Sequence, residues 1–98
     1  MNEINQETKN KIISLISALA PHAKIILFGS RARGTASKWS DIDIALEAHP
    51  PLPLELVDEL ASIFEATNIP YKIQIMDKHY VSKEMQEAIH KEGIVWKS

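Results

Sequence analysis

The chain contains no cysteine, which excludes a disulfide framework and a thiolate zinc site. Its net charge is only −2, from eleven Lys and Arg against thirteen Asp and Glu, so its overall electrostatics do not draw it to a nucleic-acid backbone. No nucleic-acid recognition motif is present either, which disfavours a nucleic-acid-binding regulator. No apolar run approaches a membrane span and the first residues do not read as a signal peptide, so the expected compartment is the cytoplasm. Internal repeats, low-complexity tracts and an interdomain linker are also missing. The four histidines, His22, His49, His79 and His90, lack i, i+4 or paired spacing and read as surface or core residues, not as a metal site.

What remains is ordinary for a folded domain: 45% hydrophobic and 24% charged residues over 98 positions. That length suits one domain, residues 1–98, with a two-layer core. From Gln6 to Ala20 the residues Ile12, Leu15, Ile16 and Leu19 recur at helical spacing, predicting an amphipathic helix that Pro21 ends. Lys24 to Phe28, rich in isoleucine and bounded by Pro21 and Gly29, predicts the first strand. The small polar stretch Gly34 to Ser40 returns the chain to a second strand, Asp41 to Glu47, and so short a return makes the two antiparallel neighbours.

Three prolines between His49 and Pro53 break that strand and place Pro53 at the start of a helix reaching Thr67. Its apolar stripe is Leu56, Val57, Leu60, Ile63 and Phe64. Asn68 suits a left-handed cap, and Pro70 forbids further helix. Tyr71 to Met76 reads as the third strand, with Tyr71, Ile73 and Ile75 on one face and Lys72, Gln74 and Met76 on the other. Ser82 N-caps a last helix ending near Lys91, in which Met85, Ala88 and Ile89 face inward and Gly93 is the C-cap. The tail Ile94, Val95 and Trp96 suits an edge strand or a cover over the sheet. The expected fold class is therefore α/β (α+β), a small mixed sheet of about three strands packed by about four helices.

The chemistry-bearing stretch runs from Leu27 to Leu46, LFGSRARGTASKWSDIDIAL. Strand side chains alternate, so Asp41 and Asp43 project from one face while Ile42, Ile44 and Leu46 enter the core. Two carboxylates aimed at one point suit a hard divalent cation, Mg²⁺ or Mn²⁺, that fills its other positions with water and phosphate oxygens. Gly29 lets the backbone pass close to a ligand, Ser30 offers a hydroxyl and an N–H, and a helix starting there aims its positive end at an anion. Arg31, Arg33 and Lys38 make a local basic patch that fits a triphosphate better than a duplex. Trp39, beside the aspartates, reads as an aromatic lid over its own loop before it reads as a base-stacking or partner surface. GSRARG is neither a Rossmann G-x-G-x-x-G nor a Walker A sequence.

Gly29-Ser30, then ten residues, then Asp41-x-Asp43, set between two apolar strands, resembles the signature of the DNA polymerase beta nucleotidyltransferase superfamily. The compact GSRARG followed by SDIDIAL is similar to the minimal nucleotidyltransferase (MNT) proteins, the small partners in HEPN/MNT toxin–antitoxin pairs. The resemblance implies a nucleotidyltransferase fold and transfer of NMP, AMP first among them, from ATP or another NTP to a hydroxyl acceptor. The resemblance also implies that the acceptor is a tyrosine on a HEPN-type toxin, with this chain as the antitoxin. It implies Asp41 and Asp43 as catalytic metal ligands, and Gly29, Ser30, Arg31 and Arg33 as nucleotide-binding residues.

The family's third acidic residue aligns, within KIQIMD at Lys72 to Asp77, on Gln74. An amide oxygen coordinates a cation weakly and accepts no proton as a general base. Asp77 has the opposite strand parity and reads as a strand-end turn residue. The alternative function is therefore a catalytically impaired nucleotide-binding module that neutralises a partner by forming a complex. At 98 residues the chain leaves the nucleobase side of such a site open, so a heteromeric complex is expected.

Overall fold

The computed structural model describes residues 4–98. Helix α1 (Gln6–Leu19) opens where Asn5 Oδ1 accepts the Thr8 N–H at 2.8 Å, and closes at Ala20 before Pro21. Strand β1 (Lys24–Phe28) leads through Gly29 into a single-turn helix α2 (Ser30–Arg33), and the loop after it enters β2 (Ile42–Glu47). Helix α3 (Leu54–Ala66) crosses over to β3 (Ile73–Asp77), a 3-10 turn (Lys78–Tyr80) follows, and α4 (Lys83–Glu92) hands the chain to β4 (Ile94–Lys97). The sheet order is β3-β2-β1-β4. β1 is antiparallel to β2, as the short connection between them allows, and to β4, while β2 is parallel to β3 because α3 supplies the crossover.

Strand alternation divides the core between the two faces of the sheet. Ile25, Leu27, Ile42, Ile44 and Leu46 pack with Ile12 and Ile16 of α1 and Leu60 and Phe64 of α3, and Ile73 and Ile75 join their edge. On the other face Ile26, Phe28 and Ala45 pack under Ile89 of α4, with Met76 and Val81 beside them. This second face, where α4 supplies the cover, is also the face of Asp41, Asp43 and Gln74. No helix among the described residues is long and apolar enough to cross a membrane.

Several local expectations are corrected. The tail takes the first of its two expected roles, an edge strand on β1, which brings the sheet of about three strands to four. The third strand runs from Ile73 to Asp77, two residues later than expected at its start and one later at its end, and Tyr71 before it lies under the Arg31 guanidinium. Asn68 does not take the left-handed conformation, since no described non-glycine residue has positive φ. Thr67 ends α3 instead, its hydroxyl donating to the Ile63 carbonyl at 2.6 Å. Gly93 does cap α4, with φ of −65°, but for reasons of space: a Cβ there would collide with the Ile89 carbonyl and Ile26 Cγ2. Met85 stays 38% exposed, whereas Ile89, one turn on, fills the inward position.

Candidate active site

Asp43 sits inside the ladder, opposite Phe28 of β1 and Gln74 of β3. Asp41 lies one residue before β2, where the next N–H, that of Ile42, donates to the Lys72 carbonyl at 2.9 Å. Gln74 turns its amide nitrogen to Asp41 and donates to Oδ2 across 3.4 Å, a long bond. The three side chains thus share one partly buried spot at the start of β2. Burial pushes the Asp43 carboxyl up from the usual aspartate value, the Asp41 charge pushes it further, and Arg33 pulls it back.

Gly29 brings the turn into contact with Asp43. Its φ of 77° and ψ of −157° are open to glycine, and a Cβ there would collide with Asp43 Oδ2. Its carbonyl accepts the N–H groups of Ala32 and Arg33, each at 3.1 Å, so α2 starts directly against the carboxylates with Ser30 as its first residue. Gly34, left-handed at φ 77°, closes the turn by donating to the Ser30 carbonyl. The short reach from β1 to Asp43 therefore depends on the absence of a side chain at Gly29.

The basic residues part company. Arg33 pairs with Glu92 Oε2 at 2.9 Å, at the end of α4, while its field reaches Asp43. Arg31, expected to act beside Arg33 as a charge partner for phosphate, has its guanidinium committed elsewhere. Nε and Nη2 donate to the Ser40 carbonyl at 3.1 and 2.9 Å, Nη2 also to that of Lys38 at 3.3 Å, and the group lies 4.6 Å over the Tyr71 ring. Trp39 is not a lid over its loop: it is 76% exposed, with the Lys38 ammonium 5.1 Å from its ring centre. Trp96 is partly buried against the main core and carries Lys9 above it, so it closes the core's margin.

Asp77 is buried at the far end of β3, 2% exposed, in register with Leu46 and away from the carboxylate pair. It accepts from Leu52 N at 3.0 Å, from His79 N at 2.8 Å and lies 3.0 Å from His79 Nδ1, which makes it a strand-end anchor. The sequence did not reveal that His49 and His79 meet edge to face, 5.2 Å between ring centres. They are far apart along the chain, and Asp77, which accepts from Leu52 of the proline loop and from His79, draws the two segments together.

Among the described residues no three His, Asp or Glu side chains gather to hold a metal. The donor set is two carboxylates and an amide, which fits one hard divalent cation sharing its remaining positions with water and phosphate.

A strand, a Gly-Ser turn and a strand opening on paired aspartates define a nucleotidyltransferase architecture, and the comparison with protein families agrees. The chain belongs to the polymerase beta nucleotidyltransferase family, whose profile, described as "Polymerase beta, Nucleotidyltransferase", matches residues 10–98. It is similar to a probable protein adenylyltransferase MntA of Haemophilus influenzae, with 29% identity over 93 residues, 95% of this chain and 82% of that one. Among solved structures it resembles a toxin–antitoxin with AMP-PNP, at 31% identity and a TM-score of 0.69, covering 92% of this chain and 73% of the other. It also resembles a tri-AMPylated Shewanella oneidensis HEPN toxin in complex with MNT antitoxin, at 28% identity and a TM-score of 0.66, covering 97% and 74%.

Proposed function

We propose that this chain is an MntA-type antitoxin that transfers AMP from ATP, or NMP from another NTP, to a tyrosine hydroxyl of a HEPN-type toxin partner. The observation that carries this reading is the packing of Asp43, with Asp41 acting on it from beside, against the Gly29-Ser30 turn through the contact that only a glycine permits. Its family membership and the AMPylated partner of a similar antitoxin support it.

In the proposed reaction the tyrosine oxygen bonds to the α-phosphorus and the bond from that phosphorus to the β-bridging oxygen breaks. Pyrophosphate leaves with the electron pair, and the hydroxyl proton passes to solvent water. The Gly29 turn brings backbone and the Ser30 hydroxyl to the β and γ phosphates. Arg33 exchanges Glu92 for a phosphate oxygen, a modest rearrangement because an exposed ion pair is weakly held. Asp41 and Asp43 would hold Mg²⁺ or Mn²⁺, which would supply neutralisation of phosphate charge and a lowered pKa at the acceptor. Gln74 takes no proton; it orients Asp41 through its amide and leaves the reaction without a third carboxylate.

That same amide favours a second reading, a nucleotide-binding module that neutralises its partner by occlusion. One experiment separates the two: incubation of the purified pair with α-labelled ATP and Mg²⁺ or Mn²⁺, alongside growth rescue from the toxin. Transfer predicts label on the partner, with label and rescue both lost in Asp41→Ala combined with Asp43→Ala while the complex still forms. No label under either metal, with rescue surviving the double substitution, would establish occlusion instead.

A further inference from the structure

The two metal-facing aspartates are held by different means. Asp43 is fixed by strand pairing on both sides, to β1 and to β3. Asp41 lies outside β2 at the mouth of a loop, and on its C-terminal side the Ile42 to Lys72 bond holds the chain. On its N-terminal side the Ser40 carbonyl belongs to the same planar peptide unit as the Asp41 nitrogen, so whatever fixes that oxygen fixes the plane from which Asp41 departs. Two guanidinium nitrogens of Arg31 converge on that oxygen, at 3.1 and 2.9 Å.

From this geometry we infer that Arg31 is a positioning residue for Asp41, setting its carboxylate for the cation. The inference rests on the proposed nucleotidyl transfer. Arg31 is suited to the task because a planar fork places two donors on one acceptor, and its Nη2 also reaches the Lys38 carbonyl at 3.3 Å. The Tyr71 ring, 4.6 Å beneath, holds the plane of the fork. Arg31 follows Ser30 directly on α2, so one turn of helix carries both the phosphate-facing hydroxyl and the clamp on Asp41. Tyr71 precedes the strand that bears Gln74, so the clamp also ties the entrance of β3 to the carboxylates. A lysine reaches the carbonyl with a single ammonium that cannot hold the plane.

The test is Mn²⁺ binding to the full chain with AMP-PNP, read by the electron paramagnetic resonance of free Mn²⁺, so that no turnover is needed. Outer-shell partners of metal ligands are worth about 10- to 100-fold in metal affinity, and Arg31→Lys is expected to weaken Mn²⁺ by an amount in that range. Metal-free AMP-PNP binding should stay close to wild type, which a general loss of structure would not permit. Tyr71→Phe should behave as wild type, and Tyr71→Leu should fall between. If Arg31→Lys unfolds, Tyr71→Leu carries the comparison, since it leaves the fork and removes only its support. Wild-type Mn²⁺ affinity in folded Arg31→Lys, or in Tyr71→Leu where that is the variant used, with Asp41→Ala impaired, would overturn the positioning role alone. Wild-type affinity in Asp41→Ala would overturn the underlying site as well.

Discussion

Asp43 is under opposing demands: it is desolvated and set beside Asp41, with Arg33 giving partial relief. Because its folded-state carboxyl titrates above an unfolded aspartate, the folded chain holds that proton more tightly. The stability tied to it is full below the unfolded carboxylate range and is lost as pH rises through the raised folded value. Asp43→Asn should therefore raise the melting temperature at neutral pH, with the gain shrinking as pH falls through the carboxylate range. Thermal melts across that range, without divalent metal, would show it; a variant less stable than wild type at neutral pH would contradict it. Such a gain at the expense of function is expected where a site stores repulsion for a ligand. Gln74 carries the second prediction at this level. A positioned general base is worth about 10² to 10⁴ in rate, so Gln74→Asp should raise single-turnover transfer within that range at saturating ATP, with nucleotide affinity little changed. Equal rates would mean that Gln74 does not stand in the base's place.

β3 shows how one strand serves two purposes at its two ends. Gln74 faces the carboxylates, and three residues on, with parity reversed, Asp77 is buried and tied to Leu52 and His79. Asp77→Ala leaves the N–H groups of Leu52 and His79 without their acceptor, at a cost of about 1–3 kcal/mol per group where they stay shielded from water. Urea unfolding should show that loss, while the transfer rate per folded molecule stays unchanged; a lost rate with intact stability would make Asp77 the missing acid after all. Most of this layout was legible in the sequence because it follows from period. Alternation on β2 and β3 sets Asp41, Asp43 and Gln74 on one face, and the helical stripes of α1 and α3 name the core residues found there. What escaped notice depends on reach across loops. Arg31 binds a carbonyl nine residues on, and Asp77 takes the proline loop.

Across the whole molecule, the sheet buries one face under α1 and α3 and places its chemistry at the start of β2 on the other, where Trp39 stands exposed beside Asp41. An open site of this form suits an acceptor that arrives on another protein, and similar antitoxins are found in complex with HEPN toxin. The family and the paired aspartates could be recognised from GSRARG and SDIDIAL, whereas the partner's contribution leaves no trace in this chain's own periodicity. The proposed function is nucleotidyl transfer by Asp41 and Asp43 onto a toxin partner. It is tested most directly by intact-mass measurement and peptide mapping of the toxin after incubation with this chain, ATP and Mg²⁺. The predicted result is a toxin heavier by AMP on a tyrosine, and an unmodified toxin when Asp41→Asn and Asp43→Asn are combined. An unmodified toxin with the wild-type chain, in a complex shown to bind ATP, would contradict it.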